Sequence, residues 1–152
     1  MPVVAVVEGP AVGSGCEIAA ACDFVVATPA ASFRTPEALW GTVGATQRLP
    51  RVLGTRLAKD MMLTGRALSA ADALAHGLVT RLVPPEALEA ALEDIAATIA
   101  KAPPAALRLA KRCIGEGVER DPRGALATGL LAIEESLAGD EWRARMAAFG
   151  GS

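Results

Sequence analysis

Tyrosine is absent, and Phe and Trp bring the aromatic share to only 3%. That leaves no stacking platform of the kind on which single-stranded nucleic-acid binders hold bases. Basic charge is not in excess either: 15 Lys and Arg stand against 17 Asp and Glu, for a formal net charge of −2. The electrostatic footprint of a nucleic-acid-binding domain is therefore missing. Cys16, Cys22 and Cys113 are odd in number and lack C-x-x-C spacing, so neither a disulfide framework nor a zinc site is supported and a reducing compartment is expected. His76 is the sole histidine, which rules out a multi-histidine metal centre built from this chain alone. In Ala75-His76-Gly77 it suits a helix end, where a cation is favoured. No apolar run approaches the length of a membrane span, and the first residues lack a basic segment followed by a signal-like apolar core. The expected setting is the cytoplasm, with no membrane partner.

What the chain does have is apolar mass. At 152 residues and 52% hydrophobic, it fits one domain and can bury about 68–70% of the surface its unfolded form exposes. Disorder is not indicated. The abundance of alanine favours closely packed helices.

The most informative stretch is residues 2–23, PVVAVVEGPAVGSGCEIAAACD. Residues 3–7 are β-branched or small and apolar, which predicts a strand buried on both faces. Glu8-Gly9-Pro10 turns the chain. Gly13-Ser14-Gly15 then leads into the small side chains of 16–22, suited to the first turns of a tightly packed helix. A helix start leaves backbone N–H groups without intrahelical partners, and glycines remove the side chains that would hold a ligand away. Such a turn can hold negative charge. Phosphate binding would want G-x-G-x-x-G or G-x-x-x-x-G-K-[ST], and neither is present. The other use is an oxyanion hole, in which N–H groups face a thioester or ester oxygen as it gains charge. Glu17 lies just beyond, either as a helix-start carboxylate favoured by the dipole or as a reactive group in apolar surroundings.

Further along, residues 24–27 predict a second buried strand and 32–34 a brief one. Thr35-Pro36-Glu37 is a helix-start signature, with Glu37 open to the same two readings as Glu17. A loop and short helix lead to Gly54, and residues 55–63 form a helix with Leu57, Met61 and Met62 on its apolar face. Ser69 caps another helix, with Asp72 at the acidic position of a capping box. Residues 78–83 predict a strand stopped by Pro84-Pro85. Amphipathic helices follow at 86–101, 105–114 and 122–137, the last with Leu126, Leu130, Ile133 and Leu137 in helical register, and a final helix is expected at 141–149 before a flexible end. Arg108, Lys111 and Arg112 form a basic patch that reads as a solvated face. The apolar faces of the late helices call for burial, either over the strand layer or against another subunit.

Taken in this order, the chain resembles the enoyl-CoA hydratase/isomerase, or crotonase, superfamily. The matching residues are PVVAVVEGPAVGSGCE at 2–17, CDFVVA at 22–27, FRTPE at 33–37, Gly41, TQRLPR at 46–51, LTGRALSAADA at 63–73, GLV at 77–79 and MAAF at 146–149. The resemblance implies an α/β, truncated crotonase-like fold: a core with the active-site turn at 1–85, its small strand layer near the N-terminus, and a helical trimerisation region at 86–152. It also implies that the chain corresponds to the C-terminal half to two-thirds of family members. A second oxyanion donor and much of the CoA surface would then lie in a half preceding Val3.

Residue by residue, the resemblance makes the Ser14 backbone N–H one of two oxyanion-hole donors, Glu17 and Glu37 the two catalytic carboxylates, and Gly13 and Gly41 substrate-binding positions. Two carboxylates suit addition of water to a 2-enoyl-CoA: one takes a proton from water and the other delivers one to the α-carbon. The implied partners are an acyl-CoA substrate and further copies of the chain, as a trimer or hexamer. No metal or redox cofactor is implied, and coenzyme A enters only as part of the substrate. Two other readings stay open: a non-catalytic crotonase-like module for assembly or acyl-CoA binding, and a crotonase-fold isomerase or thioester hydrolase using one carboxylate.

Overall fold

A computed structural model describes residues 1–139, 142, 143, 146 and 147. The remainder of the helix expected at 141–149, with the end of the MAAF segment, and the expected flexible end at 150–152 lie outside the described residues. The chain forms two units, one of Val3–Asp94 and the other of Met1–Pro2 with Ile95–Ser152.

The first unit begins with strands β1 (Val4–Val7) and β2 (Pro10–Val12), helix α1 (Ser14–Ala21), and strands β3 (Phe24–Ala27) and β4 (Ser32–Arg34). A 3-10 turn over Glu37–Trp40 leads to α2 (Arg48–Leu53), α3 (Thr55–Thr64), β5 (Leu68–Ser69), α4 (Ala70–Ala75) and β6 (Arg81–Leu82). Parallel strands require a crossover, and the path through β2 and α1 provides it between β1 and β3. β1 pairs with β3 from Val4↔Phe24 to Val7↔Ala27, and β6 lines the other side of β3. The second sheet has the order β2-β4-β5, with β2 parallel to β4 and β5 antiparallel. Pro10 opens β2, the strand position at which a missing N–H does least harm.

The central strand of the first sheet is the dry one: Val25, Val26 and Ala27 are buried. β1 departs from expectation, because it starts at Val4 and leaves Val6 41% exposed. Among the described residues it pairs only with β3, so its β-branched run signals a strand without signalling burial on both faces. The expected strand at 78–83 contracts to Arg81–Leu82, since Leu78 and Val79 are buried in the core instead of pairing in the ladder. The core joins Cys16, Val25, Phe33, Leu49, Met61 and Leu68 across both sheets and the helices beside them. Ser69 caps α4 as expected, its hydroxyl oxygen accepting from the Asp72 amide at 3.1 Å. The acidic partner closes the motif differently from a capping box: the Ser69 hydroxyl donates to Asp72 Oδ2 at 2.7 Å.

A 3-10 turn at Pro85–Ala87 opens α5 (Leu88–Ala100), and the second unit carries α6 (Pro104–Gly117) and α7 (Pro122–Leu137). Asp121 caps α7 by accepting from the Gly124 amide at 2.7 Å, with Pro122 in the first turn where its absent N–H is harmless. On α7 it is Thr128 and Ala132 that are buried. Leu126, Leu130, Ile133 and Leu137, which the periodicity marked as the face to be buried, are exposed. Arg112 of the basic patch pairs with Glu135 at 2.6 Å, and that partner holds its guanidinium above the usual range. An ion pair so open to water adds little to stability.

Candidate active site

The turn between β2 and α1 is built on Gly13, which has φ 57° and ψ −120°. That positive φ is strained for any residue with a Cβ. The Gly13 amide donates to the Arg34 carbonyl at 2.8 Å, tying the helix start to the end of β4. The first bond of α1 runs from the Glu17 amide to the Gly13 carbonyl at 3.1 Å. The amides of Ser14, Gly15 and Cys16 therefore precede the intrahelical ladder. Ser14 and Gly15 are exposed, and no side chain caps this end. The helix start expected after the glycines is present, and its N–H groups are capped by no side chain.

Glu37 enters the same neighbourhood from the other direction. Thr35-Pro36 ends the β4 excursion and begins the 3-10 turn, which closes at Gly41 with φ 78° and a bond from its amide to the Ala38 carbonyl at 3.3 Å. A Cβ built on Gly13 would lie 2.7 Å from Glu37 Oε1. One built on Gly44 would lie 3.3 Å from the same carboxyl group. The Glu37 carboxylate thus occupies space between two glycine backbones. Gly41, by contrast, is exposed, and a Cβ there would meet nothing within 4 Å.

Glu17 is half-buried one turn into α1, beside the buried thiol of Cys16. That thiol is pushed up from 9.0 to about 12, chiefly by burial, then by the charge of Glu37 and less by that of Glu17, against a downward pull from the Arg34 backbone. Both carboxylates therefore act electrostatically on one buried atom. A cavity of about 150 Å³ adjoins Glu37, lined also by Thr35, Val43, Gly44, Met62 and Leu63, and Glu17 does not line it. Sequence reasoning assigned neither Gly44 nor Thr35 to the site. Gly44 was visible only as a glycine in the loop after Glu37, and Thr35 only as the residue before Pro36.

The Cys16 environment makes a prediction of its own. A thiol raised in the folded state stabilises the fold below its ordinary pKa, and this contribution is lost as pH climbs from about 9 towards 12. The slope is about 1.4 kcal/mol per pH unit across that window. Cys16→Ala should flatten the alkaline limb of a stability-versus-pH curve, whatever it does near neutrality. At pH 8 the native chain should be alkylated at Cys22 and Cys113, which are half-buried, before Cys16. Equal labelling of all three in the folded protein would contradict the buried thiol.

A parallel sheet whose crossover helix starts at a bare glycine turn, with a carboxylate laid against that glycine, is a crotonase-type α/β arrangement. The chain belongs to the enoyl-CoA hydratase/isomerase family, which it matches over residues 1–149. It is 38% identical over 151 residues to the short-chain-enoyl-CoA hydratase of Clostridium acetobutylicum, covering 97% of this chain and 58% of that protein. The crotonyl-CoA hydratase of Syntrophomonas wolfei is 37% identical over 151 residues, with the same two coverages. Among solved structures, the enoyl-CoA hydratase from Bacillus anthracis superposes with a TM-score of 0.94 at 37% identity, over 99% of this chain and 59% of that one. The chain thus spans less than two thirds of the length of these relatives. Among the described residues no helix is long and apolar enough to cross a membrane.

Proposed function

We propose that this chain carries the carboxylate half of a site that adds water across the double bond of a 2-enoyl-CoA thioester. The observation that carries the reading is the Glu37 carboxylate laid against Gly13, where an added Cβ would lie 2.7 Å from Oε1, at an uncapped helix start that holds Glu17 in its first turn. In the proposed reaction one carboxylate takes a proton from water as its oxygen attacks the β-carbon. Charge moves onto the thioester oxygen, which the Ser14 amide holds together with a second donor, and the other carboxyl group protonates the α-carbon. Gly13 brings the backbone close to the substrate, and Gly41 ends the turn that presents Glu37. The ligand is an acyl-CoA with no separate cofactor, the assembly a trimer or hexamer, and the setting cytoplasmic.

Hydration of crotonyl-CoA, followed as loss of the conjugated-thioester absorbance in a protein that also supplies the second oxyanion donor, tests this. Glu17→Gln and Glu37→Gln should each lower turnover by about 10²–10⁴-fold. Substrate loss that persists unchanged in the double variant would remove the assignment. One observation favours a second reading: the cavity at Glu37 does not include Glu17, which suits a one-carboxylate isomerase or thioester hydrolase. In that case Glu17→Gln is tolerated, and the product is a shifted double bond or free acid instead of the 3-hydroxyacyl thioester.

A further inference from the structure

The 3-10 turn that carries Glu37 is weakly held by its own residues. None of Glu37–Trp40 is buried and no side chain caps the turn. Its hydrogen bonds are local, from the Leu39 amide to the Pro36 carbonyl at 2.9 Å and from the Thr42 amide to the Glu37 carbonyl at 3.0 Å. Thr35 and Pro36 are buried and fix the way in. The way out needs a hold of its own. Beside the turn, α3 ends at Gly65, which is left-handed with φ 67° and ψ 17° and bonds its amide to the Met61 carbonyl at 2.9 Å. Gly65 is buried, although its neighbours Thr64 and Arg66 are exposed. Its cover is Arg34 and Leu39. A Cβ built on Gly65 would run into Leu39 Cδ1, and would lie 3.3 Å from Leu39 Cγ and 3.5 Å from Arg34 Nη2. Arg34 also donates from Nε to the Gly65 carbonyl. That carbonyl lies at the C-terminal end of a helix, where unpaired C=O groups carry partial negative charge and a cation is favoured.

Arg34 and Leu39 bracket Glu37 in the chain, and both land on this one glycine. Arg34 in addition gives its carbonyl to the Gly13 amide at 2.8 Å, so the same residue joins the glycine turn to the end of α3. We propose that Gly65 is a positioning residue: the end of α3 is a seat on which Arg34 and Leu39 dock, and the double attachment fixes the segment between them and with it the approach of Glu37 to Gly13 and Gly44. A side chain at position 65 would close that seat. Leu39 is 55% exposed, so it can swing away from an added methyl group; the fold survives and the turn loses its outer hold. The kinetic consequence rests on the hydratase reading of Glu37, whereas the seating does not.

The experiment compares Gly65→Ala with Gly77→Ala. Both glycines have positive φ, 67° and 81°, but a Cβ on Gly77 meets nothing within 4 Å, so the control carries backbone strain without the collision. Each variant should lower the thermal midpoint by roughly 2–8 °C. The position of Glu37 is read from the backbone amide resonances of Gly13 and Gly44, the two glycines its carboxyl group lies against. Both should move in Gly65→Ala and stay in place in Gly77→Ala. Leu39→Ala, which adds no strain, should move them too, and the effect of Gly65→Ala should shrink when Leu39 is already alanine. Should Gly65→Ala fail to fold, Leu39→Ala carries the same readout. In a hydration assay on protein that also supplies the second oxyanion donor, Gly65→Ala should lower kcat about tenfold or more with KM little changed, and Gly77→Ala should leave both near wild type. Gly13 and Gly44 resonances that stay put in Gly65→Ala and Leu39→Ala overturn the proposal. Equal shifts in Gly77→Ala, or additive effects of Gly65→Ala and Leu39→Ala, overturn it as well. A wild-type protein without turnover defeats the hydratase reading alone, and the amide resonances still decide the seating.

Discussion

Gly13→Ala is expected to lose at least 10²-fold in turnover while costing the fold about 1–3 kcal/mol, a combination few single methyl groups produce. The stability part comes from the backbone. Gly13 has φ 57° and ψ −120°, a conformation that L residues with a Cβ rarely adopt, so alanine either strains the turn or shifts it. The activity part comes from what the methyl group meets. It would lie 2.7 Å from Glu37 Oε1, too close for both to stay. The end of a glutamate side chain moves more easily than a backbone, so the carboxylate gives way and the fold survives. Its retreat is limited on the far side, because the same carboxyl group already lies close to Gly44. On the hydratase reading proposed above, the displaced Glu37 and the shifted Ser14 amide then both lose their aim, which is where the loss of turnover comes from. Gly9→Ala serves as the control, since nothing lies within 4 Å of a Cβ there and its φ is ordinary. Thermal melts and the hydration assay on the two variants read out both halves. A Gly13→Ala chain that melts and turns over like the Gly9→Ala control would show that the turn does not aim the site.

Much of this site was legible in the sequence because it rests on local signals. Glycines at a strand-to-helix turn, a carboxylate in the first turn, Thr-Pro-Glu after a short strand, and a serine cap at Ser69 act within a few residues of themselves, so their spacing carries the information. α7 was read to its observed bounds for the same reason, Pro122 and the register of its leucines being local. The features that escaped depend on distant partners. β2 and β5 are three and two residues long, too short to show a period, and they exist because β4 pairs with both. The exposure of Val6 depends on which strands flank β1, among the described residues only β3, and no run of valines encodes that. On α7 the leucines have the spacing of a buried stripe, yet the buried positions are Thr128 and Ala132. Periodicity identifies an apolar face without identifying its cover. The approach of Glu37 to Gly13 belongs to the same class. Both residues could be named from the chain, but the contact between them spans two turns and a sheet.

Phe33→Ala is expected to be the most damaging single truncation in the first unit. Phe33 is fully buried in β4, the middle strand of the second sheet, between Ala11 of β2 and Leu68 of β5. Removing a buried phenylalanine side chain typically loses about 3–5 kcal/mol, the transfer term plus the cavity left behind. Against total stabilities of about 5–15 kcal/mol for folded domains, that is a large share, and the thermal midpoint should fall by roughly 10 °C or more. The position also matters to the site. β4 passes through Arg34, whose carbonyl accepts from the Gly13 amide at 2.8 Å, and continues through Thr35 and Pro36 into the turn that carries Glu37. One side chain therefore braces both arms of the site, the glycine turn on one side and the carboxylate on the other. Phe33→Leu, which leaves a smaller cavity, should retain a cooperative melt at an intermediate midpoint. In that folded variant Cys16 should be alkylated faster than in the wild type, because its burial depends on the same packing. If Phe33→Ala melts within a few degrees of wild type, or if Phe33→Leu leaves Cys16 as protected as before, then β4 does not hold the two arms together and their juxtaposition must have another cause.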